Sequence, residues 1–468
     1  MVSSLPGKYR LRTARWSILL PALATALALA IYWITLQPGL LGGDSAEAQF
    51  APYTLSIMHV TGYPFYTLLG YLWSHLVLVG DVAYRMNLLS AVAGAIAVGE
   101  LMWLGQALGR SWIAGGAAAA LMAFSTQFWD WSTKAGVRSL NVAFMLAVFS
   151  VAVWWARDQK TGSQIGNRKW VLLWFIVGLS LAHHRTTILI LPGLCIYLLW
   201  SRPGVLRDWR AYIAAIAAAL PGVLTYLYLP LRSAGVPPYQ YMPVDTVDHF
   251  LDLVLARNLS DMVTSITWQQ VPERLSWFIE YLISQFGMPA VVISLAGMVS
   301  LLIRRPKEGV MLSLSLVFLM TFTIDYRIEG MAQLNVVFLL PVHAIVSVCI
   351  GVLLGAFIRL VLRTESIVPT ILKPIGRMLL YGLAIVGFVL IALPISSRKI
   401  RGGIGIHLAL GFLIAFSYLL TQQFSTVFSL KANLNALLSV WIPNVFFAAL
   451  GIILLFLIEN QNWKIAFF

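Results

Sequence analysis

Charge and cysteine are what this chain has least of: 11% of its 468 residues are charged and two are cysteine. So little charge excludes an ordinary soluble domain, in which about a quarter of residues carry one. Cys195 and Cys349 both fall inside apolar runs, which excludes a disulfide scaffold and marks them as inert core thiols. Acids are scarcer than bases, 18 against 32, giving a net charge of +14. That excess would suggest nucleic acid if it formed one face. It is instead split into short clusters between apolar runs, the pattern of loops beside anionic lipid. Membrane lipid is the expected partner and nucleic acid is not. No Walker A loop, G-x-S-x-G elbow, H-E-x-x-H pair or cysteine-based metal motif occurs. This argues against ATP-driven, hydrolase or metalloprotease chemistry in this chain acting alone; no cofactor and no set of metal-ligating residues is expected.

What is present is apolar surface, 60% of the residues. Runs long enough to cross a membrane, or nearly so, cover 17–36, 87–108, 112–128, 141–156, 169–182, 186–200, 211–230, 288–303, 309–324 and 336–358. Three more cover 378–395, 404–422 and 438–457. The expectation is an all-α polytopic membrane protein. Its first run lacks an A-x-A exit and reads as a span rather than a cleaved leader. Lys8, Arg10, Arg12 and Arg15 place the N-terminus in the cytoplasm, and the next basic clusters keep that alternation through ten spans. The opposite face then receives 37–86, 129–140, 183–185, 231–287 and 325–335. Residues 65–80, with Tyr71 and Trp73, read as a helix lying on that outer interface. Past 358 the alternation fails, because basic clusters flank 378–395 on both sides. Pro369 and Lys373-Pro374 mark a break there, so the chain divides into 1–364 and 365–468.

The outer segments hold most of the acids. Asp44 and Glu47 are three apart, so a helix starting near Asp44 puts both on one side. Asp44 could equally cap that helix. His59, Arg85, Lys134, Arg138, His183, His184, Arg185, Arg232 and Arg327 share the outer face with them. A carboxylate facing such cations suits group transfer from a lipid phosphate: the carboxylate takes the acceptor proton while Arg and His neutralise the leaving phosphate. Consecutive His183 and His184 point in different directions on a helix, so joint metal ligation is not expected. Arg232, after Tyr226 and Tyr228, reads as well as a snorkelling residue in an aromatic belt as a site residue. The 232–287 loop is a candidate lid or acceptor platform.

At these residues the chain resembles a family. Gly43-Asp44-Ser45-Ala46-Glu47, His59-x-x-Gly62-Tyr63-Pro64-x-Tyr66 and Tyr84-Arg85-x-Asn87-Leu88-Leu89-Ser90 are similar to a bacterial family related to the transmembrane protein O-mannosyltransferases. Ser139-Leu140-Asn141, His183-His184-Arg185-Thr186, Tyr228 to Ser233 and Tyr326-Arg327 also fit, so the likeness spans about 15–362. It implies a GT-C transmembrane bundle, a polyprenyl-phosphate sugar as donor, a protein or glycan acceptor such as a Ser/Thr hydroxyl, and outer-face chemistry on the inner (cytoplasmic) membrane. Asp44 matches the family's presumed catalytic acid, and with the outer-face acids and cations the leading expectation is an inverting glycosyltransferase with Asp44 as base and Glu47 in support. Arg85, His183, His184, Arg185 and Arg232 become candidate donor-phosphate ligands, and His59, Tyr63, Arg138, Tyr326 and Arg327 further site candidates. One departure stands out: where the family often reads Ala-Glu-Val-Tyr, this chain has Ala135-Gly136-Val137-Arg138.

The tail differs. Ser396 to Gly405 and Ser439 to Asn444 resemble the last three spans of the lipopolysaccharide-export permeases, over roughly 373–457. That family's earlier spans and periplasmic domain have no counterpart, so its function is not expected to carry over, and the chain reads as a fusion. The competing readings are an export component, which would need a cytoplasmic ATPase, and an inactive fusion.

Overall fold

The computed structural model describes residues 7–157, 168–257, 266–325 and 336–364. Cα packing divides the chain into two units, Met1–Ile283 with Met288–Leu354, and Ser284–Gly287 with Gly355–Phe468. Tyr326, Arg327 and the three C-terminal runs lie outside the described residues.

Nearly everything described is helical, and among the described residues one bridge between extended segments occurs, joining Ile57 to Gln240. The long helices of the first unit are α1 (Gly7–Ile34), α4 (Val82–Gly109), α7 (Arg138–Ala156), α8 (Arg168–His183), α9 (Leu191–Ser201), α10 (Trp209–Leu224), α14 (Met288–Arg304) and α15 (Pro306–Asp325). The last, α16 (Leu340–Thr364), begins in this unit. Shorter elements join them: α2 (Gly43–Phe50), α3 (Pro64–Leu76), α5 (Trp112–Ala123), α6 (Thr126–Ser132), α11 (Tyr228–Ala234), α12 (Val247–Leu255) and α13 (Val271–Phe286). All ten apolar runs expected before residue 358 are helical. Among the described residues six helices reach membrane length, or seven if α13 and α14, which meet at 106°, count as one. One run that falls short, 112–128, breaks into α5 and α6 at Ser125, which is buried and hydrogen-bonded to His343 at 3.0 Å. At 13 residues, about 20 Å, α3 is too short to cross alone.

α4 is the spine, packed against α1, α5 and α7. In lipid no hydrophobic gain separates helices from solvent, so close packing of small residues brings them together. The α8–α10 contact shows it: a Cβ on Gly222 would lie 2.2 Å from the Gly178 carbonyl, and only glycine fits.

One node pins the segments that carry the site. Asn87 on α4 accepts from Gln49 Nε2 on α2 at 3.0 Å and from the Ala135 N–H at 2.8 Å, and donates to the Gln37 carbonyl at 2.8 Å. The chain leaving α1, the acidic helix α2 and the bend leading into α7 are thereby fixed to one another.

Candidate active site

α2 presents its two acids as the i, i+3 spacing predicts, and each meets its own cation. Asp44 Oδ2 accepts from Arg138 Nη2 at 2.9 Å. The carboxylate side chain is 46% exposed and the arginine's 9%. The N-cap of α2 is Gly42 and no side chain caps it, so the capping alternative for Asp44 does not apply. Glu47 is buried; its Oε1 accepts the His59 backbone N–H at 2.8 Å and its Oε2 pairs with His59 Nδ1. Burial pushes the His59 imidazole down, but its bond to Glu47 and the charges of Glu47 and Asp44 outweigh that, and Arg138 opposes them weakly. The net direction is up.

Tyr63 sits between the two pairs. Gly62 and Tyr63 both have left-handed backbones, φ +79° and +40°, the second costly for a side chain bearing a Cβ. The turn aims the Tyr63 ring at His59, 5.3 Å between centroids, and at His184, 5.7 Å. Burial raises the phenol strongly; Arg138 and Arg185 pull it down while Asp44 and Glu47 push it up, so all four charges converge on it. His184 Nδ1 accepts from the Thr186 N–H at 3.3 Å and pairs with the Thr186 hydroxyl at 2.7 Å. That assigns the ring proton to Nε2. Burial, with the nearby cations, holds this imidazole well below its usual range and therefore neutral.

The other expected phosphate ligands have backbone partners. Arg85 donates to the Ser74 carbonyl at 2.9 Å and the Gly80 carbonyl at 3.0 Å, closing the α3–α4 turn. Arg232 donates to the Leu55 carbonyl at 2.7 Å and more weakly to Thr54. His183 is buried among Phe65, Tyr66 and Phe144, and its Nε2–H donates to the Val137 carbonyl at 2.7 Å. It thus supports the backbone just before Arg138. Arg185 places one arm on the Leu255 carbonyl at 2.5 Å and remains within electrostatic reach of Tyr63 and His184. The structure thus brings together Asp44, Glu47, His59, Tyr63, Arg138, His184 and Arg185, and leaves Arg85 and Arg232 tied to turns.

Residues that sequence reasoning passed over complete the site. The Trp131 ring lies 3.6 Å from Arg138 Cζ and 3.7 Å from Lys134 Nζ. The 232–287 loop bonds to the acidic segment through the Ile57 N–H to the Tyr239 carbonyl, 3.1 Å, and the Tyr241 N–H to the Ile57 carbonyl, 3.0 Å. This brings Tyr241 to 6.5 Å from His59. An alternation of aromatics around Pro237-Pro238 was the available signal for it. Among the described residues no group of three potential metal ligands occurs.

Comparison with known proteins agrees with both resemblances. The family model described as the Protein O-mannosyl-transferase TMEM260 N-terminal domain matches residues 44–206, and that of the Lipopolysaccharide export system permease LptF/LptG matches 354–456. Protein O-mannosyl-transferase TMEM260 of Mus musculus is 34% identical over 208 residues, 44% of this chain and 29% of that protein. The Dictyostelium discoideum protein of that name is 25% identical over 325 residues, 62% of this chain and 38% of that protein. The chain therefore spans about a third of the length of the curated relatives it matches. Among solved structures, ArnT from Cupriavidus metallidurans bound to undecaprenyl phosphate aligns with TM-score 0.51 and 15% identity, over 92% of this chain and 76% of that one. Its apo state aligns with TM-score 0.50 and 15% identity, over 95% and 76%. The fold is that of a GT-C-like polytopic bundle.

Proposed function

We propose that the chain is a GT-C glycosyltransferase that moves a sugar from a polyprenyl-phosphate donor to a hydroxyl of a protein or glycan on the outer face of the inner membrane, with its N-terminus in the cytoplasm. The observation that carries this reading is Asp44, a half-exposed carboxylate held by a buried guanidinium at the meeting point of α2, α3, α7 and α8. Likeness to O-mannosyl-transferases and the ArnT fold support it.

Asp44 takes the proton of the acceptor hydroxyl as that oxygen attacks the anomeric carbon. The bond from that carbon to the phosphate oxygen breaks with inversion, and polyprenyl phosphate leaves. Arg138, Arg185 and the Nε2–H of His184 face the phosphate's growing charge. Glu47 acts through His59, holding the 57–63 segment and Tyr63 against the pair. In membranes given lipid-linked sugar, Asp44→Asn is expected to lower transfer at least about a hundredfold with expression intact. Unchanged transfer would remove Asp44 from the chemistry.

The permease match over 354–456 favours a second reading, in which the 365–468 segment serves lipid export. That reading expects co-purification with a cytoplasmic ATPase and a lipid flux indifferent to Asp44→Asn.

A further inference from the structure

Arg138 is nine-tenths buried, yet the described residues use one of its three guanidinium nitrogens. Nη2 serves Asp44; Nη1 and Nε have no hydrogen-bond partner among the described residues. Nη1 lies 3.5 Å from where a Cβ on Gly136 would stand, and the next nearest atoms are Trp131 ring carbons at 4.0 Å. Among the described residues, a Cβ at 136 would sit in ordinary van der Waals contact with the unused arm, and glycine leaves that one position beside it unfilled. Trp131 holds the guanidinium by its ring, and Lys134, bound to Asp130 at 2.5 Å, shares that ring. A planar fork fixed in place, with N–H groups unused among the described residues beside a glycine and in the first turn of a 19-residue helix, has the chemistry to receive an oxyanion. Asp44 competes for it. Being 46% exposed, Asp44 is the partner that water can take up.

We propose that Arg138 and Gly136 form a subsite for the phosphate of a lipid-linked donor, and that a phosphate entering it displaces Asp44 from the guanidinium. The phosphate offers several oxygens to a fork that Asp44 engages through one. The carboxylate comes free only when donor is in place, so the base is released by the anion whose sugar it will help transfer. This rests on the reading above for the role of Asp44, but its test measures binding alone.

The probe is a polyprenyl phosphate without sugar, titrated into the purified full chain in nanodiscs. Asp44→Asn is expected to bind it about tenfold tighter, because the guanidinium loses its competitor. Gly136→Asp, which sets a carboxylate against Nη1, and Arg138→Gln are each expected to bind it about tenfold weaker or worse. The gain from Asp44→Asn should vanish in the Arg138→Gln background. If Arg138→Gln does not fold, Asp44→Asn with Gly136→Asp makes the same comparison, with Nη1 already occupied. Unchanged or weaker binding by Asp44→Asn overturns the subsite. So does a gain that persists without Arg138, which would mean general charge repulsion. An Asp44→Asn protein that binds more tightly yet still transfers sugar would instead overturn the base assignment alone.

Discussion

Glu47→Gln keeps the shape of a buried side chain and removes its charge, which isolates the Glu47–His59 pair. The side chains are 11% and 26% exposed, so the pair is poorly screened. A hydrogen bond to a charged group contributes about 1.5–3 kcal/mol. The folded-state pKa of His59 lies above its unfolded value of about 6.5. The pair's contribution is therefore fully present below pH ~6.5 and is lost as pH rises through the folded pKa. In Glu47→Gln the two largest upward causes are gone and the downward push of burial remains, so acid becomes destabilising at this position. The backbone N–H of His59 can still bond to the glutamine oxygen, which keeps the loss at alkaline pH small. For a chain this long, 1 kcal/mol moves the melting temperature by at most about 2 °C. Melting curves of both detergent-purified proteins between pH ~5.5 and ~8.5 should show a gap of a few degrees, at most about 6 °C, at the acid end that narrows with rising pH. A gap independent of pH, or one that widens on the alkaline side, refutes the pairing as the source of the His59 shift.

Two further perturbations separate structural from substrate-binding roles. Arg232→Ala strands the Leu55 and Thr54 carbonyls, so about 1–3 kcal/mol of stability should go while KM for the lipid donor stays unchanged. A raised KM with an unaltered melting temperature would instead put Arg232 at the phosphate. Gly62→Ala forces a Cβ onto φ +79° and within 3.1 Å of Leu229, costing about 1–2 kcal/mol. Because Tyr63 follows directly, transfer should fall along with the melting temperature, and full activity would show that the Tyr63 position is unimportant.

How much of this was legible depends on which interactions leave a local trace. The apolar runs and their order were legible because length and composition decide a span. The break at Ser125 was not, since hydropathy cannot see a turn whose polar groups are satisfied by a distant helix, here through His343. The spacing of Asp44 and Glu47 was legible as one helix face. The choice among the nine cations expected on the outer face was not. An arginine side chain reaches any carbonyl within its length, and Arg85 and Arg232 found carbonyls at turns that only the tertiary fold creates. Topology assigned the cations to one end of the bundle and could not assign their partners.

Gly136 and Arg138 show what a local departure can mean once its surroundings are known. Taken separately, a missing acid and a missing aromatic weaken the family likeness at the site. The structure makes them one change. A Cβ on residue 136 points at Arg138 Nη1 from 3.5 Å, so an acid at 136 beside an arginine at 138 would pair with it. Nη1 would then not be left for a substrate, and the fork would be shared between two carboxylates. With glycine at 136 the arginine is free to hold Asp44 and keep an arm in reserve. Relative to an acid and a neutral aromatic, the two substitutions shift the charge beside Asp44 by about two positive units. An anion approaching Asp44 therefore meets a receptor where the family pattern would present a repulsive carboxylate, and the sign of that difference is what the Asp44→Asn binding measurement reads.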